Sequence, residues 1–520
     1  MTRPAAPGTS PGTDTSPGAD APKAPGAGTH AEPGLGARAV SGADPNTAPG
    51  PDASAAPGAD ARVVWEAVGF RAEGGSGPVT WGQLHMWHPM LRYGAAFATL
   101  SLRQVVPLAA PGVALGACLD AIRRLVETHP ALRTRFADPA GSGDVRQDVA
   151  AEGTHLVEVY ELGEHASDGA VAAVAERRGR KLATEPFRHG HEWPVRFGVV
   201  CRGRRVRAVT LVCSHVAFDA WSADLVGTAL RRLLTGEPGP APTGDVWQPL
   251  DQAAHERSER GLREDARAMR HWRSRLAEVP DTAPRPAYDP PAAPPIQQWW
   301  VTSNALAAAS VTLAERTRTS TSAVLLTLAA TALSAIRGQR TVPLKLIAGN
   351  RFTDRQQRLA CSAAQDGLMV FERADVSLDD AVREVYRRST GGYMRGQYNP
   401  DSLTALTAEL NGSRRHPLDL TGYFNDARLS HDWALPPGPA RRSERGPAFV
   451  RGYDRNDMSF CVVLAQQGPD CQVSLLADTR RLPADRIPGV LSGLESLLCD
   501  AACRELALHD VPEALGLPPA

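Results

Sequence analysis

The sequence predicts an α/β protein, and three observations carry this prediction. Short apolar runs rich in β-branched residues alternate along the chain with longer segments whose apolar residues recur at helical spacing. A proline-rich stretch, residues 279–296, separates two such alternating regions. No apolar run approaches the roughly 18 residues of a membrane-spanning helix, so no membrane segment is expected.

Composition excludes several classes of partner. The 520 residues carry 57 basic and 57 acidic side chains, so no overall field favours nucleic acid or an anionic membrane. The eight cysteines are scattered without a disulfide or zinc framework, which predicts reduced thiols in a cytoplasmic protein. The first residues lack the apolar run of a secretory signal.

The chain is expected to divide into four parts. Residues 1–60 are almost entirely Ala, Gly, Pro, Ser, Thr and Asp, and predict a disordered leader because they cannot bury a core. Residues 61–240 are expected to form an N-terminal lobe, 241–296 a connector and 297–515 a C-terminal lobe.

The elements of the first region follow from periodicity. Residues 115–126 and 170–182 have helical spacing, and the runs 194–200 and 206–213 predict a β-hairpin. A helix is expected to follow over residues 222–234, where apolar side chains again recur at helical intervals.

The connector and second region show the same alternation. A charged helix over about 252–277 lies between two proline-rich segments. The expected later elements are strands at 299–303, 341–348, 460–464 and 473–478, and helices at 321–336, 378–390 and 486–502.

The most informative stretch is SHVAFDAW, residues 214–221, at the predicted strand-to-helix turn. It places His215 four residues before Asp219. An imidazole titrates near neutrality, so a histidine aimed from such a turn suits general base catalysis. Two residue types at one spacing also recur by chance, and the alternative from these residues alone is a structural histidine.

The wider context resembles the condensation domains of nonribosomal peptide synthetases, which are chloramphenicol acetyltransferase-like acyltransferases. Their active-site motif is His-His-x-x-x-Asp-Gly, and His215 matches its second histidine and Asp219 its aspartate. Ser214 stands in place of the first histidine and Ala220 in place of the glycine. Further segments that look like family elements follow in order at residues 77–87, 129–136, 185–187 with 193–196, 271–276 and 347–351.

The resemblance implies a fold, a reaction and a partner. The fold would be two chloramphenicol acetyltransferase-like lobes in a V with a tunnel between them. The reaction would join a carrier-tethered acyl thioester to an amine or hydroxyl nucleophile, as an amide or ester, in natural-product biosynthesis. A free-standing, monomeric enzyme is expected; phosphopantetheine would belong to the substrate's carrier protein, so no cofactor or metal of its own is expected.

The resemblance also assigns roles to the motif. His215 would be the catalytic base, whereas Asp219 would be structural and would pair with Arg351 from the other lobe. Ser214 can still form a hydrogen bond where the family has a largely structural histidine. Ala220 is the larger departure, because glycine allows positive φ and close backbone approach, and a methyl group is expected to narrow the passage.

Two other functions are also consistent with the sequence. An acyltransferase that uses soluble acyl-CoA and a non-catalytic docking module both fit the same fold. The histidine pairs His85 with His88 and His189 with His191 lack a third metal ligand at suitable spacing, so they are interpreted as structural or surface residues.

Overall fold

The coordinates are a computed structural model that describes most of the chain. The described residues are 62–138, 143–238, 247–428, 443, 446–467 and 470–518. The predicted leader, residues 1–60, lies outside them.

The described residues form sixteen strands and thirteen α-helices. The strands are β1 Arg62–Arg71, β2 Gly75–Pro78, β3 Leu102–Pro107, β4 Val113–Ala114, β5 Thr134–Ala137, β6 Arg146–Val149, β7 Glu152–Leu162, β8 Val195–Arg202, β9 Arg205–Cys213, β10 Ile296–Ser303, β11 Thr341–Ala348, β12 Gln365–Glu372, β13 Gly422–Asp426, β14 Ala448–Tyr453, β15 Phe460–Gln467 and β16 Asp470–Asp478. The helices are α1 Trp81–Tyr93, α2 Leu115–Thr128, α3 Asp168–Thr184, α4 Ala220–Thr235, α5 Pro249–Glu256, α6 Glu259–Leu276, α7 Asn304–Thr317, α8 Thr321–Arg337, α9 Asp354–Gln357, α10 Leu378–Tyr393, α11 Pro400–Gly412, α12 Ile487–Cys503 and α13 Val511–Ala514.

A six-stranded sheet organises the first half. Its order is β1-β7-β8-β9-β3, with β4 paired to β9, and only the β7–β8 pairing is parallel. Helices α2 and α4 bury apolar side chains such as Ile122 and Leu230 against one face of this sheet. Helix α3 packs on the opposite face, where Val174 meets Tyr160. A separate three-stranded sheet, β2-β6-β5, lies beside it.

A seven-stranded sheet of order β12-β11-β13-β15-β16-β10-β14 organises the second half. Helices α7, α8, α10 and α12 share one apolar core with it, and α8 is buried along almost its whole length, as its apolar sequence predicts. The two halves confirm the predicted α/β class with two lobes.

The connector differs from the single charged helix predicted over 252–277. It forms two helices, α5 and α6, because Ser258 caps α6 by accepting a hydrogen bond from the backbone N–H of Gly261. A serine side chain that binds the backbone in this way starts a new helix rather than continuing the old one. Helix α5 packs on the first half through Glu256, and α6 on the second through Trp272.

Several of the family-like segments form the framework of the fold. Arg133 is buried and donates hydrogen bonds to the carbonyl oxygens of Glu73, Val126 and Ala150. Arg196 donates to three carbonyl groups and stacks over Phe187. Buried guanidinium groups of this kind hold loops in place because an Arg left without acceptors is costly to bury.

Cys118, Cys213, Cys461 and Cys471 are buried and form no disulfide in the described part of the chain. Within the described ranges no single helix is long and apolar enough to cross a membrane. Helices α7 and α8 meet that requirement only together, and they are bent by 101° at their junction.

Candidate active site

The His-x-x-x-Asp motif lies on the turn between β9 and α4, as the sequence predicts. The last residue of β9 is Cys213 and the N-cap of α4 is Asp219. Asp219 and Ser222 form a reciprocal capping box, in which each side chain accepts a hydrogen bond from the other's backbone N–H. This cap fixes the end of the turn that carries His215.

Asp219 and Arg351 form a bidentate ion pair. The two terminal guanidinium nitrogens of Arg351 lie 2.7 and 2.8 Å from the two carboxylate oxygens, and both side chains are almost fully buried. The predicted contact between the two halves is therefore present. Burial raises the pKa of Asp219, but the charge and hydrogen bonds of Arg351 outweigh it and leave that pKa below its ordinary value.

The Asp219 carboxylate is also held by the backbone of the second half. Its Oδ2 accepts hydrogen bonds from the N–H groups of Ala363 (3.0 Å) and Ala364 (3.1 Å), while Ser222 donates to Oδ1. A carboxylate with this many donors is fully engaged and has no free lone pair for proton transfer. These contacts connect the turn to the second half of the chain.

The end of β11 aims Arg351 at this carboxylate. Asn350 adopts a left-handed conformation, φ +54°, which Asn tolerates better than most residues. Its side-chain amide donates to the carbonyl groups of Ala363 and Gly396. Arg351 in turn donates to Gly349 and Cys361 carbonyl oxygens, so the guanidinium is bound on two sides.

His215 lies inside the turn and is set up as a neutral imidazole. Burial lowers its pKa below the ordinary value, against opposing contributions from backbone hydrogen bonds at His215 and Phe218 and from the Asp219 charge. A neutral ring nitrogen can accept a proton at physiological pH, as general base catalysis requires.

Ser214 is bonded to a histidine that lies 25 residues earlier in the sequence. Its Oγ lies 2.6 Å from Nε2 of His189. Burial lowers the pKa of His189 to about 4, and its ring lies among the aromatic rings of Trp87, Phe136 and Phe187. His189 is thus a buried structural residue, and an imidazole occupies the space beside Ser214.

Ala220 needs no positive φ in this fold. It is the first residue of α4 and is exposed, and the positive-φ residues other than glycine in the described ranges are Arg318 and Asn350. Alanine at this position therefore introduces no backbone strain. Whether its methyl group narrows a substrate passage stays a prediction.

A close-packed joint connects the turn to α1 and to residues 361–364 of the second half. The N–H of Ser362 donates to the Ala217 carbonyl at 2.9 Å. A Cβ at Gly82 of α1 would lie 2.2 Å from the Ser362 carbonyl oxygen, so only glycine fits. This backbone contact fixes both halves around His215.

A charged network beside this joint was not predicted. Lys345 donates to Tyr423 Oη at 2.9 Å and lies 3.1 Å from the buried carboxylate of Asp366, whose other oxygen lies 3.6 Å from Nε2 of His85. The charge of His85 also lowers the pKa of His215. The signal available in the sequence was Lys345 itself, a lone charge inside an apolar strand.

The other histidines considered as metal ligands do not converge. His88 lies 3.5 Å from Asp401, His85 beside Asp366, and His191 on an exposed turn. Among the described residues no group of three His, Cys, Asp or Glu side chains could hold a metal ion.

Comparison with known proteins gives a family match for the central part of the chain. The family model for the condensation domain matches residues 102–360, which include β3 to β11, the His215 turn and Arg351. This part of the chain, which carries the His215 turn and Arg351, is therefore similar to condensation domains. Over 193 residues, 32% of this chain, it is 26% identical to the beauvericin nonribosomal cyclodepsipeptide synthetase of Beauveria bassiana, and the match covers 6% of that synthetase.

Solved structures show the same fold at low sequence identity. The condensation domain of the monacolin K polyketide synthase MokA superposes with a TM-score of 0.65 at 13% identity, over 84% of this chain and 99% of that one. A condensation domain that mediates chain release from the enacyloxin polyketide synthase gives 0.59 at 17% identity, over 85% and 83%.

Proposed function

We propose that this protein is an acyltransferase that joins an acyl thioester to an amine or hydroxyl nucleophile, with the thioester borne on the phosphopantetheine arm of a carrier protein. The match of residues 102–360 to the condensation-domain model supports bond formation of this class. The similarity to a nonribosomal cyclodepsipeptide synthetase supports a place in natural-product biosynthesis. The product would be an amide or an ester.

The observation that carries the proposal is the fixed geometry around His215. The turn is capped by Asp219, which Arg351 and two backbone N–H groups hold from the other half. The imidazole can accept the proton that the nucleophile loses as it attacks the thioester carbonyl. The thiolate of the arm then leaves and takes up a proton, so the reaction needs no cofactor of the enzyme's own.

The test replaces the proposed base. His215→Ala is expected to lower turnover about 10²- to 10⁴-fold, which is the usual contribution of a general base. The measurement is intact-mass detection of acyl transfer from a loaded carrier protein, in the presence of amine and alcohol acceptors. Thermal unfolding of the variant should match the wild type, since the ring carries no structural ion pair.

A control variant at a surface histidine tests whether the loss of turnover is specific to His215. His191→Ala, on an exposed turn, should leave turnover unchanged. Turnover of His215→Ala within threefold of wild type would rule out His215 as the base. If neither acyl-carrier protein nor acyl-CoA acts as donor for the wild type, the chain is a docking module instead.

A further inference from the structure

Ser214, the residue before the proposed base, is bonded to a histidine from another segment of the first half. Its Oγ lies 2.6 Å from Nε2 of His189, and both side chains are buried. The backbone N–H of Ser214 donates to the Pro194 carbonyl at 2.9 Å, and the His189 carbonyl accepts a hydrogen bond from the Phe136 N–H at 2.9 Å. Each partner of the contact is therefore anchored by its own backbone.

The hydrogen bond between Ser214 and His189 has a defined direction. Burial lowers the pKa of His189 to about 4, so its ring is neutral at physiological pH and carries a single N–H. The ring also forms a hydrogen bond with the backbone of Phe187, whose carbonyl can only accept. These contacts assign the N–H to Nδ1, so Nε2 is an acceptor and the Ser214 hydroxyl donates to it.

This direction leaves the oxygen of Ser214 available to the backbone of the turn. Its Oγ accepts a hydrogen bond from the N–H of Val216, the residue after His215, at 3.3 Å. A buried hydroxyl needs an acceptor for its proton, and Nε2 of His189 supplies that acceptor. The imidazole therefore keeps the serine in the rotamer that binds the Val216 N–H.

Aromatic rings hold the imidazole of His189 in this orientation. The rings of Trp87 and Phe136 meet it edge-on, with ring centroids 6.0 and 6.2 Å away. A ring packed in this way cannot turn to present its other nitrogen without moving its neighbours. The acceptor beside Ser214 is therefore in place before any substrate binds.

We infer that His189 is a positioning residue for the proposed base, and that it acts through Ser214 to fix the backbone on both sides of His215. The inference rests on the proposed function, which makes His215 the base. A displacement of about 1 Å can lower turnover about 10²-fold, so a contact that fixes this turn affects the rate without touching the substrate.

The first test removes the acceptor and then restores it. His189→Leu lacks a ring nitrogen, whereas His189→Gln keeps an acceptor at the end of its side chain. His189→Leu is expected to lower kcat at least about 10-fold and to change KM less than about threefold, because only the position of the base is altered. His189→Gln should restore kcat to within about threefold of the wild type. A kcat of His189→Leu equal to that of the wild type or of His189→Gln would overturn the inference.

The second test follows the turn without any substrate. His215–Val216 is the only His–Val pair in the sequence, so histidine labelled at its carbonyl carbon and valine labelled at its nitrogen isolate the Val216 amide by NMR in the full chain. Hydrogen exchange of this amide should be about 5-fold faster in His189→Leu and in Ser214→Ala, and unchanged in His189→Gln. The two substitutions combined should be no faster than either alone, because both break the same connection.

His155→Leu is the matched control. His155 is another buried histidine of the first half and lies among the rings of Phe70 and Trp193, but its hydrogen bond is to the backbone of Leu132. Its replacement should change kcat by less than about threefold and should affect Val216 exchange only as far as it lowers the global stability. A response of Val216 to His155→Leu as large as that to His189→Leu would show that the effect is not specific to the Ser214 contact.

The outcomes separate this inference from the proposed function. Val216 exchange that is the same in His189→Leu and the wild type would overturn the inference, whatever the result for His215→Ala. Faster exchange with an unchanged kcat would overturn it as well, since the turn would then be fixed without effect on the base. A wild type that transfers no acyl group would overturn the proposed function, and the Val216 amide would still show whether His189 fixes the turn. If His189→Leu does not fold, Ser214→Ala, which removes a single hydroxyl, gives the same test.

Discussion

Two polar residues of the turn, Asp219 and His215, have different electrostatic environments. Asp219 accepts six hydrogen bonds, two of them from Arg351, and its pKa lies below the ordinary value. Burial lowers the pKa of His215 by more than its backbone hydrogen bonds and the charge of Asp219 raise it, and for a base this favours the neutral form. The carboxylate is fixed and the imidazole is free to react.

The buried ion pair makes a prediction for stability. Asp219→Ala and Arg351→Ala should each destabilise the fold by about 3–5 kcal/mol, because each strands a buried charge. The double variant should cost less than the sum, with a coupling of about 1–3 kcal/mol. Urea unfolding of the wild type, the two single variants and the double variant measures the cycle. Additive losses of stability would show that Asp219 and Arg351 are not coupled.

An exposed ion pair supplies the control for this cycle. Arg71 and Glu152 are 3.0 Å apart, but both side chains are mostly exposed, so their coupling should be under about 1 kcal/mol. The Asp219 contribution also has a pH signature. Because the pKa of Asp219 is lowered in the folded protein, its contribution to stability is present above the ordinary carboxyl pKa. That contribution is lost as the pH falls through the pKa that Asp219 has in the folded protein.

At the scale of single residues, the sequence predicted the contact that the family resemblance assigns and missed the contacts for which the resemblance gives no pattern. His215, Asp219 and Arg351 were predicted because the motif and the strand-end segment resemble a known family. The His189–Ser214 contact and the Lys345–Asp366 pair depend on how separate elements pack against each other, and no local pattern encodes such pairs.

Among the elements, α1 shows most clearly how one segment serves both halves. Thr80 and Gln83 cap its start reciprocally, and Trp87 enters the first core. Gly82 lets the helix touch the backbone at Ser362. The segment that looks like the family's opening element is therefore a helix start fitted against the other half of the chain.

Gly82→Ala should loosen this joint. Its Cβ would meet backbone atoms, with the Ser362 oxygen at 2.2 Å, and backbone cannot move aside cheaply. Overpacking of this kind costs about 1–3 kcal/mol, measured as a fall in the free energy of unfolding. Gly116→Ala on α2, with no atom within 4 Å of the added Cβ, should be neutral or slightly stabilising. Equal effects of the two substitutions would refute the close approach.

The contact between α5 and α1 makes the stability depend on pH. The Glu256 carboxylate accepts a hydrogen bond from the Trp81 N–H at 2.7 Å, and burial raises its pKa from 4.5 to about 7. The folded state therefore holds a proton that the unfolded state releases, so stability falls as the pH rises across this window. Glu256→Gln should be more stable than wild type at pH 8, by an amount on the order of 3 kcal/mol, and similar at pH 4.

Glu259→Gln on α6 is the matched control, since Glu259 is largely exposed. It should leave the pH dependence of the melting temperature unchanged. Glu256 is not the group responsible if the melting temperature of the wild type does not change between pH 5 and 8. The same conclusion follows if the melting temperature of Glu256→Gln depends on pH as steeply as that of the wild type.

Elements were predicted well where apolar periodicity is strong, as in α8 and the β8–β9 hairpin. The prediction of one helix over 252–277 was wrong because Ser258 caps a second helix, and a charged sequence gives little apolar signal to mark such a break. Packing decides the boundaries, and packing is not visible in local sequence.

In the whole molecule, contacts between the two halves are numerous and buried. Arg351 holds Asp219, the Ser362 N–H meets the Ala217 carbonyl, and Ala360 belongs to the apolar core of the first half. All described residues fall in one compact unit. The two halves share part of one core. The predicted limits of the lobes, 61–240 and 297–515, therefore stay a prediction.

This sharing predicts a single cooperative unfolding transition for the two halves. Separation of the halves would expose Ala360 and strand the Asp219 carboxylate, so neither half is expected to stay folded once the other unfolds. Calorimetry should give one peak whose calorimetric and van't Hoff enthalpies agree. Arg351→Ala removes the buried link and should broaden or split that peak, whereas Arg340→Ala, whose ion pair is exposed, should not. Two well-separated peaks in the wild type would mean that the halves fold independently. The ion pair between Asp219 and Arg351 would then stabilise the active-site turn alone.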